Sequence, residues 1–439
     1  MSHAEETLLA LAPAPGRGAP GWLAERRLAA RDRFAALGLP TTRLEDWKYT
    51  SLAPVVPVRF ERAPASTPPA LGQATGLRLV FVDGRLDPRL SSSGSGALPA
   101  GVRIESLGAA LAEHAGLIEP RLGTLARIDA NAFAALNTAA FEDGALIWIP
   151  DGVHVDAAIE LCFLSTPAPA GSGRGYFSAA RNLIVAGRGS RATVVETYGA
   201  TRAESGTYLT SALTEVWVGE GAELDHYRLQ EDAVGGVHVG HVASVQSAGS
   251  RFSTHALSMG AALSRGEVNA KLDGEGAQVA LRGLYVVGGK QLVDNLSLIE
   301  HARPHCSTRE TYKGILDGSA RGIFAGRIRV APGAQKTDAY QLNSNLLLSD
   351  DASVDSKPQL EIFADDVKCG HGGTVGQLNA DALFYLQSRG INRDEARAIL
   401  TYAFASEMVG LIRPDFLRER VKRLVAARLP GGERLLEAA

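Results

Sequence analysis

The spacing of hydrophobic positions changes its period twice along the chain, and each change marks a change of element. Near the N-terminus Leu23, Arg27, Ala30, Phe34 and Leu37 recur at helical intervals, with Gly38 and Pro40 as the stop. A polar and aromatic segment, TRLEDWKYTSL (Thr42 to Leu52), follows. Residues 61–76 and 91–100 are rich in Pro, Gly, Ser and Ala and are expected as loops. Between them, LRLVFVDGRL (Leu77 to Leu86) predicts a strand and turn. A further helical stretch is predicted over about residues 105–140, which gives a mostly helical N-terminal region, 1–140.

From ALIWIP (Ala145 to Pro150) the period shortens and becomes β-like. A turn signal, Gly or Asp followed by Ala or Ser, then keeps returning. It stands at Gly189-Ser190, Gly221-Ala222, Gly249-Ser250, Gly276-Ala277, Gly318-Ser319, Gly333-Ala334 and Asp351-Ala352. The intervals are 32, 28, 27, 42, 15 and 18 residues, most of them close to multiples of 14 or 15. Strand-like runs such as ATVVETY, AELDHYRL, AQVALRGLYVV and GIFAGRIRV lie between the signals. A repeating unit that cannot bury its apolar face alone must stack on its neighbours, so the pattern predicts a mainly β fold, a β-solenoid core over 141–376. Abundant glycine, 48 residues, fits many tight corners.

The last stretch, 377–439, returns to helical spacing. Asn379 or Asp381 can cap a helix that carries Leu383, Phe384 and Leu386 and stops at Gly390. Asn392 and Glu395 form a capping-box-like pair ahead of a stripe of Ala396, Ile399, Leu400, Ala403, Phe404 and Met408. Pro414 separates this run from a final basic helix near Phe416 to Leu424.

Composition narrows the function. Lys plus Arg number 45 against 48 Asp plus Glu, so there is no basic excess for a nucleic-acid partner. No apolar run reaches the roughly 20 residues needed to span a bilayer, and the opening segment lacks the pattern of a secretory signal. Three scattered cysteines, Cys162, Cys306 and Cys369, do not form a disulfide framework and fit a reducing cytoplasm. Several motifs fail on inspection. Val287-Gly288-Gly289-Lys290-Gln291 has Leu284 where a P-loop needs glycine, and Gln291 where it needs Ser or Thr, so no nucleotide is expected on this chain. Neither a GxSxG elbow nor an HExxH helix is present.

Two segments carry metal-ligand residue types. IEHARPHCSTRE (Ile299 to Glu310) holds His301, His305 and Cys306, but Pro304 opposes the helix that the His spacing would need; a structural solenoid turn is the plainer reading. ADDVKCGHGGTVG (Ala364 to Gly376) places Asp365, Asp366, Cys369 and His371 within seven residues. Cys and His both ligate iron–sulfur clusters, yet a self-contained cluster takes four protein ligands, so a cluster here would need donors from a second chain. A polar surface turn closing the solenoid is the alternative.

The run from Pro304 to Gly376, above all KPQLEIFADDVKCGH and CGHGGTVG, resembles the signature region of the SufB/SufD family of iron–sulfur cluster assembly proteins, on its SufD side. ALFYLQSRGINRDEARAILTYAF (Ala382 to Phe404) is similar to that family's C-terminal domain, and RLEDWKYTSL to its N-terminal region. Gly373 replaces an alanine common at that turn. The resemblance implies a right-handed parallel β-helix flanked by helical regions, acting as a non-enzymatic scaffold subunit. It implies two partners, the paralogous subunit SufB and the ATPase SufC, with a homodimer when the chain is alone.

His371 stands where SufD-type chains carry a histidine paired with a SufB cysteine, which makes it the first candidate ligand of a transient iron–sulfur cluster shared with SufB. Cys369 is the second candidate, as a ligand or only as a small buried thiol. Phe384, Tyr385, Arg389 and Ile391 are the expected ATPase-docking residues. A purely structural partner of SufB and SufC, with no cluster ligation, is the rival reading. A carbohydrate-active β-helix enzyme is another, for which no row of catalytic residues is visible.

Overall fold

The computed structural model describes residues 2–13, 20–65, 68, 71–72, 76–94, 98–202, 206–429 and 432. Helices α1 (His3–Ala10) and α2 (Gly21–Leu37) precede a 3-10 turn at Glu45–Trp47. Short strands β1 (Arg59–Glu61), β2 (Arg78–Val82), β3 (Arg85–Leu86) and β4 (Arg103–Ser106) follow. Then come α3 (Leu107–Glu113), α4 (Ala115–Ile118) and α5 (Ala132–Ala140). The stretch predicted as one helical run over 105–140 is therefore three short helices. Pro120 and Gly123 lie in the irregular connection before α5, where neither sustains a helix.

The solenoid opens with β5 (Ala145–Ile149), β6 (Ile159–Ser165), β7 (Arg174–Ala186), β8 (Arg191–Ala200) and β9 (Tyr208–Val218). It continues through β10 (Glu223–Gln230), β11 (Gly236–Gln246), β12 (Arg251–Ser258), β13 (Leu263–Leu272) and β14 (Gln278–Val287). Its last coils are β15 (Leu292–His301), β16 (Ser307–Leu316), β17 (Arg321–Val330), β18 (Asp338–Leu347), β19 (Ser353–Ile362) and β20 (Lys368–Gly376). Helices α6 (Ala380–Ser388), α7 (Arg393–Val409) and α8 (Asp415–Ala426) complete the described chain.

Odd-numbered strands from β5 to β19 pair in parallel in one sheet, and even-numbered strands from β6 to β20 in the other. The chain thus crosses from sheet to sheet with every strand and makes about seven turns. Strand exceeds helix, 41% against 21%, so the protein is mainly β, a β-solenoid with helices at both ends.

The corners explain the uneven repeat. One column of corners has positive φ at Gly189, Gly221, Gly249, Gly276, His305 and Lys336, and each backbone N–H donates to a carbonyl of the next coil. Ala261, Gly289 and Gly318 mark a second column on the opposite side. The turn signals mix the two columns, which is why their intervals jump between whole coils and fractions of one. His305 and Lys336 adopt the same left-handed geometry without glycine, so a glycine-based signal passes over them. The residue after each first-column corner points inward. Cys306 there is equivalent to Ser190, Ala222, Ser250, Ala277 and Thr337, and all six are buried.

Between the sheets, residues such as Ile184, Val216, Phe252, Val279, Ile299 and Ile328 form one continuous apolar core. Burying each such side chain is worth roughly 1.5–3 kcal/mol relative to exposure. Helices α2 and α5 cover the outer face of the odd sheet through Leu23, Phe34, Phe133 and Leu136. Helices α7 and α8 cover the even sheet, where Ala398, Ala405, Met408, Leu417 and Val421 pack on Tyr227, Leu257, Leu284 and Ile315. The buried residues of α7 are Ala396, Ala398, Thr401, Ala405, Met408 and Val409, so the predicted stripe is buried at Ala396 and Met408, while Ala403 is exposed and Ile399, Leu400 and Phe404 are half-buried. Between those ends the buried face shifts to Ala398, Thr401 and Ala405, whose small side chains let α7 lie close to the sheet. No helix among the described residues is long and apolar enough to cross a membrane.

Candidate functional site at the open end of the solenoid

Strands β19 and β20 are the last of their sheets, and no strand pairs with their outer edges among the described residues. On β20, Cys369 and His371 are in register with Ala339 and Gln341 of β18. Those two are fully buried, with 0% exposure, and face the solenoid interior. Because side chains alternate along a strand, Cys369 and His371 lie on the same inward face in neighbouring columns, at the rung where the interior opens. His371 is exposed and Cys369 half-buried. Burial pushes the Cys369 thiol above its ordinary value, which disfavours the thiolate needed to hold iron. The pair therefore divides into an accessible imidazole and a thiol that also packs on the core.

Behind His371 the column is polar. Glu310, Gln341 and His371 are successive rungs. The Gln341 side-chain amide donates to Glu310 Oε2 at 2.6 Å, and the Ser297 hydroxyl donates to Glu310 Oε1 at 2.6 Å. Burial raises the Glu310 carboxyl to about 7. Sequence reasoning missed Glu310 and Gln341, because coils about thirty residues apart come into register only in the fold. Asp366 is held at the corner, where its main-chain carbonyl accepts from Lys336 N at 2.6 Å and its carboxylate pairs with the Lys336 ammonium. Asp365 and Lys368 are exposed. None of the three joins Cys369 and His371 in a cluster of metal-ligand atoms: among the described residues the group that comes together is Glu105, Glu113 and His114.

The second candidate segment is taken apart by the fold. His301 is fully buried, bonded to the Thr308 hydroxyl at 2.7 Å, and desolvation lowers its pKa to about 4, so it stays neutral. His305 forms a corner and Cys306 points into the core. These residues serve the solenoid turn.

The docking candidates lie on α6, a helix with no buried residue. Phe384 is 71% exposed and Tyr385 57%, and Arg389 stacks on the Tyr385 ring at 5.2 Å while donating to its hydroxyl at 3.2 Å. Ile391 is half-buried just beyond the helix. Asn379, rather than Asp381, is the cap, accepting from Ala382 N, and Asn392 caps α7 by accepting from Glu395 N.

A cavity of about 880 Å³ lies between the outer face of the odd sheet and the segment around Trp47. That segment is strapped down at several points: Glu45 pairs with Lys357, Asp46 with Arg327 at 3.6 Å, and the Thr50 hydroxyl donates to Asp294 at 2.6 Å. The Arg265 guanidinium also covers the Trp47 ring at 4.0 Å. The RLEDWKYTSL motif thus ties the N-terminal region to the last coils.

Comparison with known proteins agrees with this arrangement. Residues 170–404 match the core domain of SufBD proteins of the SUF system for FeS cluster assembly, and residues 77–161 match the SufBD N-terminal region. An iron–sulfur cluster assembly SufBD family protein of Synechocystis is 33% identical over 92% of this chain and 91% of its own length. The iron–sulfur cluster assembly protein SufD of Escherichia coli is 31% identical over 90% of this chain and 91% of its own. The chloroplastic protein ABCI7 of Arabidopsis thaliana is 32% identical over 67% and 62%. A solenoid whose last inward column ends on an accessible histidine, matched over more than half its length by the SufBD core, belongs to the SufBD family of iron–sulfur cluster assembly proteins and is a homologue of SufD.

Proposed function

We propose that this chain is the non-ATPase scaffold subunit of a cytoplasmic SufB–SufC–SufD assembly, and that His371 offers an imidazole nitrogen to a nascent cluster at the junction with SufB. The observation that carries this reading is the exposed His371 at the end of an inward column whose preceding rungs are buried. An imidazole holds iron less firmly than a thiolate, which suits a cargo that must be built and then passed on. Cys369 takes second place, because its half-buried thiol must first lose a proton that burial holds on. The chain supplies too few donors here for a closed site, so the remaining ligands come from the partner.

The surroundings favour a partner at this end. Tyr340, Leu342, Ile362, Phe363 and Val375 are all large and at least 40% exposed around the last coil. Open strand edges beside them offer backbone groups for pairing. The exposed face of α6, with Phe384, Tyr385 and Arg389, is the docking surface for the SufC ATPase, which supplies the nucleotide chemistry. This chain is then a binding partner and not an enzyme.

Anaerobic affinity purification of the tagged chain, with co-purifying subunits identified by mass, tests the proposal. Recovery of a P-loop ATPase and a second, cysteine-bearing β-solenoid subunit is the expected result. Recovery of the chain with neither would remove the heteromeric scaffold reading. The rival reading, a structural partner without ligation, is separated by substituting His371.

A further inference from the structure

Three buried carboxylate or amide oxygens lack a hydrogen-bond partner among the described residues: Gln246 Oε1, Asp294 Oδ1 and Gln341 Oε1. The first two belong to earlier coils, on β11 and β15. Gln341 belongs to β18, one rung from the open end, and is 0% exposed. A buried carbonyl left without a donor costs stability, so its place in the fold needs a reason.

The Gln341 amide is pinned from two sides. Its Nε2 donates to Glu310 Oε2 at 2.6 Å, and the Ser297 hydroxyl anchors the same carboxyl by donating to Oε1 at 2.6 Å. Across the interior the amide lies against Gly326, where a Cβ would fall 2.0 Å from Nε2 and 2.9 Å from Cδ. Gly326 thus leaves the space that the amide itself fills. On the odd sheet the rung beyond Gly326 is Pro358, which has no N–H and no side-chain donor. The nitrogen and oxygen of an amide diverge from one carbon, and the nitrogen is spent on the rung behind. The carbonyl arm is left for a donor elsewhere, and the next inward residue of its own column is His371.

A neutral imidazole that gives one nitrogen to iron carries its proton on the other, and that N–H needs an acceptor. A carboxylate in this role makes the ligand more basic and its hold firmer. An amide carbonyl orients the ring without adding charge, which suits a cargo that is passed on.

We propose that Gln341 is the positioning residue for His371: its Oε1 accepts the imidazole N–H and so sets which ring nitrogen is bare for the cargo iron. The inference rests on the reading of His371 as a cluster ligand. Ser297 and Glu310 hold the amide by its nitrogen and keep the carbonyl arm for the imidazole.

The test uses the chain co-expressed with its two proposed partner subunits and purified anaerobically, with iron, acid-labile sulfide and subunit stoichiometry measured for each variant. Gln341→Met keeps the bulk and removes the acceptor. It should leave the stoichiometry intact and speed iron loss to a chelator by about tenfold or more. Gln341→Glu keeps an acceptor in the same place, with one proton shared between its carboxyl and that of Glu310. It should load as the wild type does and lose iron more slowly, and this isosteric variant decides alone where Gln341→Met fails to assemble. Wild-type loss rates in Gln341→Met overturn the proposal, as does a Gln341→Glu assembly that loses iron at the wild-type rate or faster. His371→Ala separates this inference from the reading beneath it. A full load in that variant removes both, whereas an empty His371→Ala beside a Gln341→Met that holds iron normally overturns the role of Gln341 alone.

Discussion

Replacing Glu310 with glutamine should make the protein less sensitive to pH and more stable in mild alkali. Glu310 is 1% exposed, and burial raises its carboxyl from 4.5 to about 7 despite the hydrogen bonds from Ser297 and Gln341. A carboxyl raised on folding holds its proton in the folded state after the unfolded chain has lost it. Between about pH 4.5 and 7 the folded state therefore binds more protons, and stability falls as pH rises through that window. At 1.36 kcal/mol per pKa step the whole loss is about 3 kcal/mol. Glutamine keeps the shape: its carbonyl can accept from Gln341 and its amide can donate to the Ser297 hydroxyl. Denaturant unfolding of both proteins at pH 5 and pH 8 is the assay. At pH 5 the two should agree within about 1 kcal/mol, a hydrogen bond's worth. At pH 8 Glu310→Gln should be more stable by about 3 kcal/mol. A difference that is the same at both pH values would refute the reasoning, because it would mean that the interior does not hold this carboxyl protonated.

Other outcomes follow from the same geometry. Arg181→Met should cost about 3–5 kcal/mol in denaturant unfolding, because it leaves the buried Glu215 carboxylate with only the N–H donors of Gly123, Leu125 and Ala126. Alkylation of the native protein, followed by mass spectrometry, should modify Cys369 well before Cys162 or Cys306; the latter are 8% and 0% exposed, and burial pushes the Cys162 thiol to about 11. Phe384→Asp with Tyr385→Asp should change stability by less than about 0.5 kcal/mol, as for other exposed sites. The same pair should weaken binding of the proposed ATPase partner at least tenfold, as for truncated aromatic anchors, measured by titration calorimetry.

The solenoid was legible because its corners need small or left-handed residues, and glycine announces them. What the signal could not separate was one corner column from the other, since both use glycine. It also passed over His305 and Lys336, which hold positive φ without glycine because the neighbouring coils fix their backbone hydrogen bonds. His371 and Cys369 could be singled out because the residues around them form a compact motif. Glu310 and Gln341 could not, since a polar residue on a strand looks solvent-facing until the register turns it inward. The apolar stripe of α7 held at Ala396 and Met408, but in its middle close approach to the sheet selects Ala398, Thr401 and Ala405 over Ile399, Leu400 and Phe404.

The central claim is that His371 ligates cargo rather than merely shaping an interface. His371→Ala, co-expressed with the two proposed partner subunits and purified anaerobically, tests it through subunit stoichiometry and through bound iron and acid-labile sulfide. The account predicts an intact assembly whose iron and sulfide fall severalfold below the wild-type complex. An intact assembly with unchanged iron and sulfide would contradict it and leave the chain a structural partner alone.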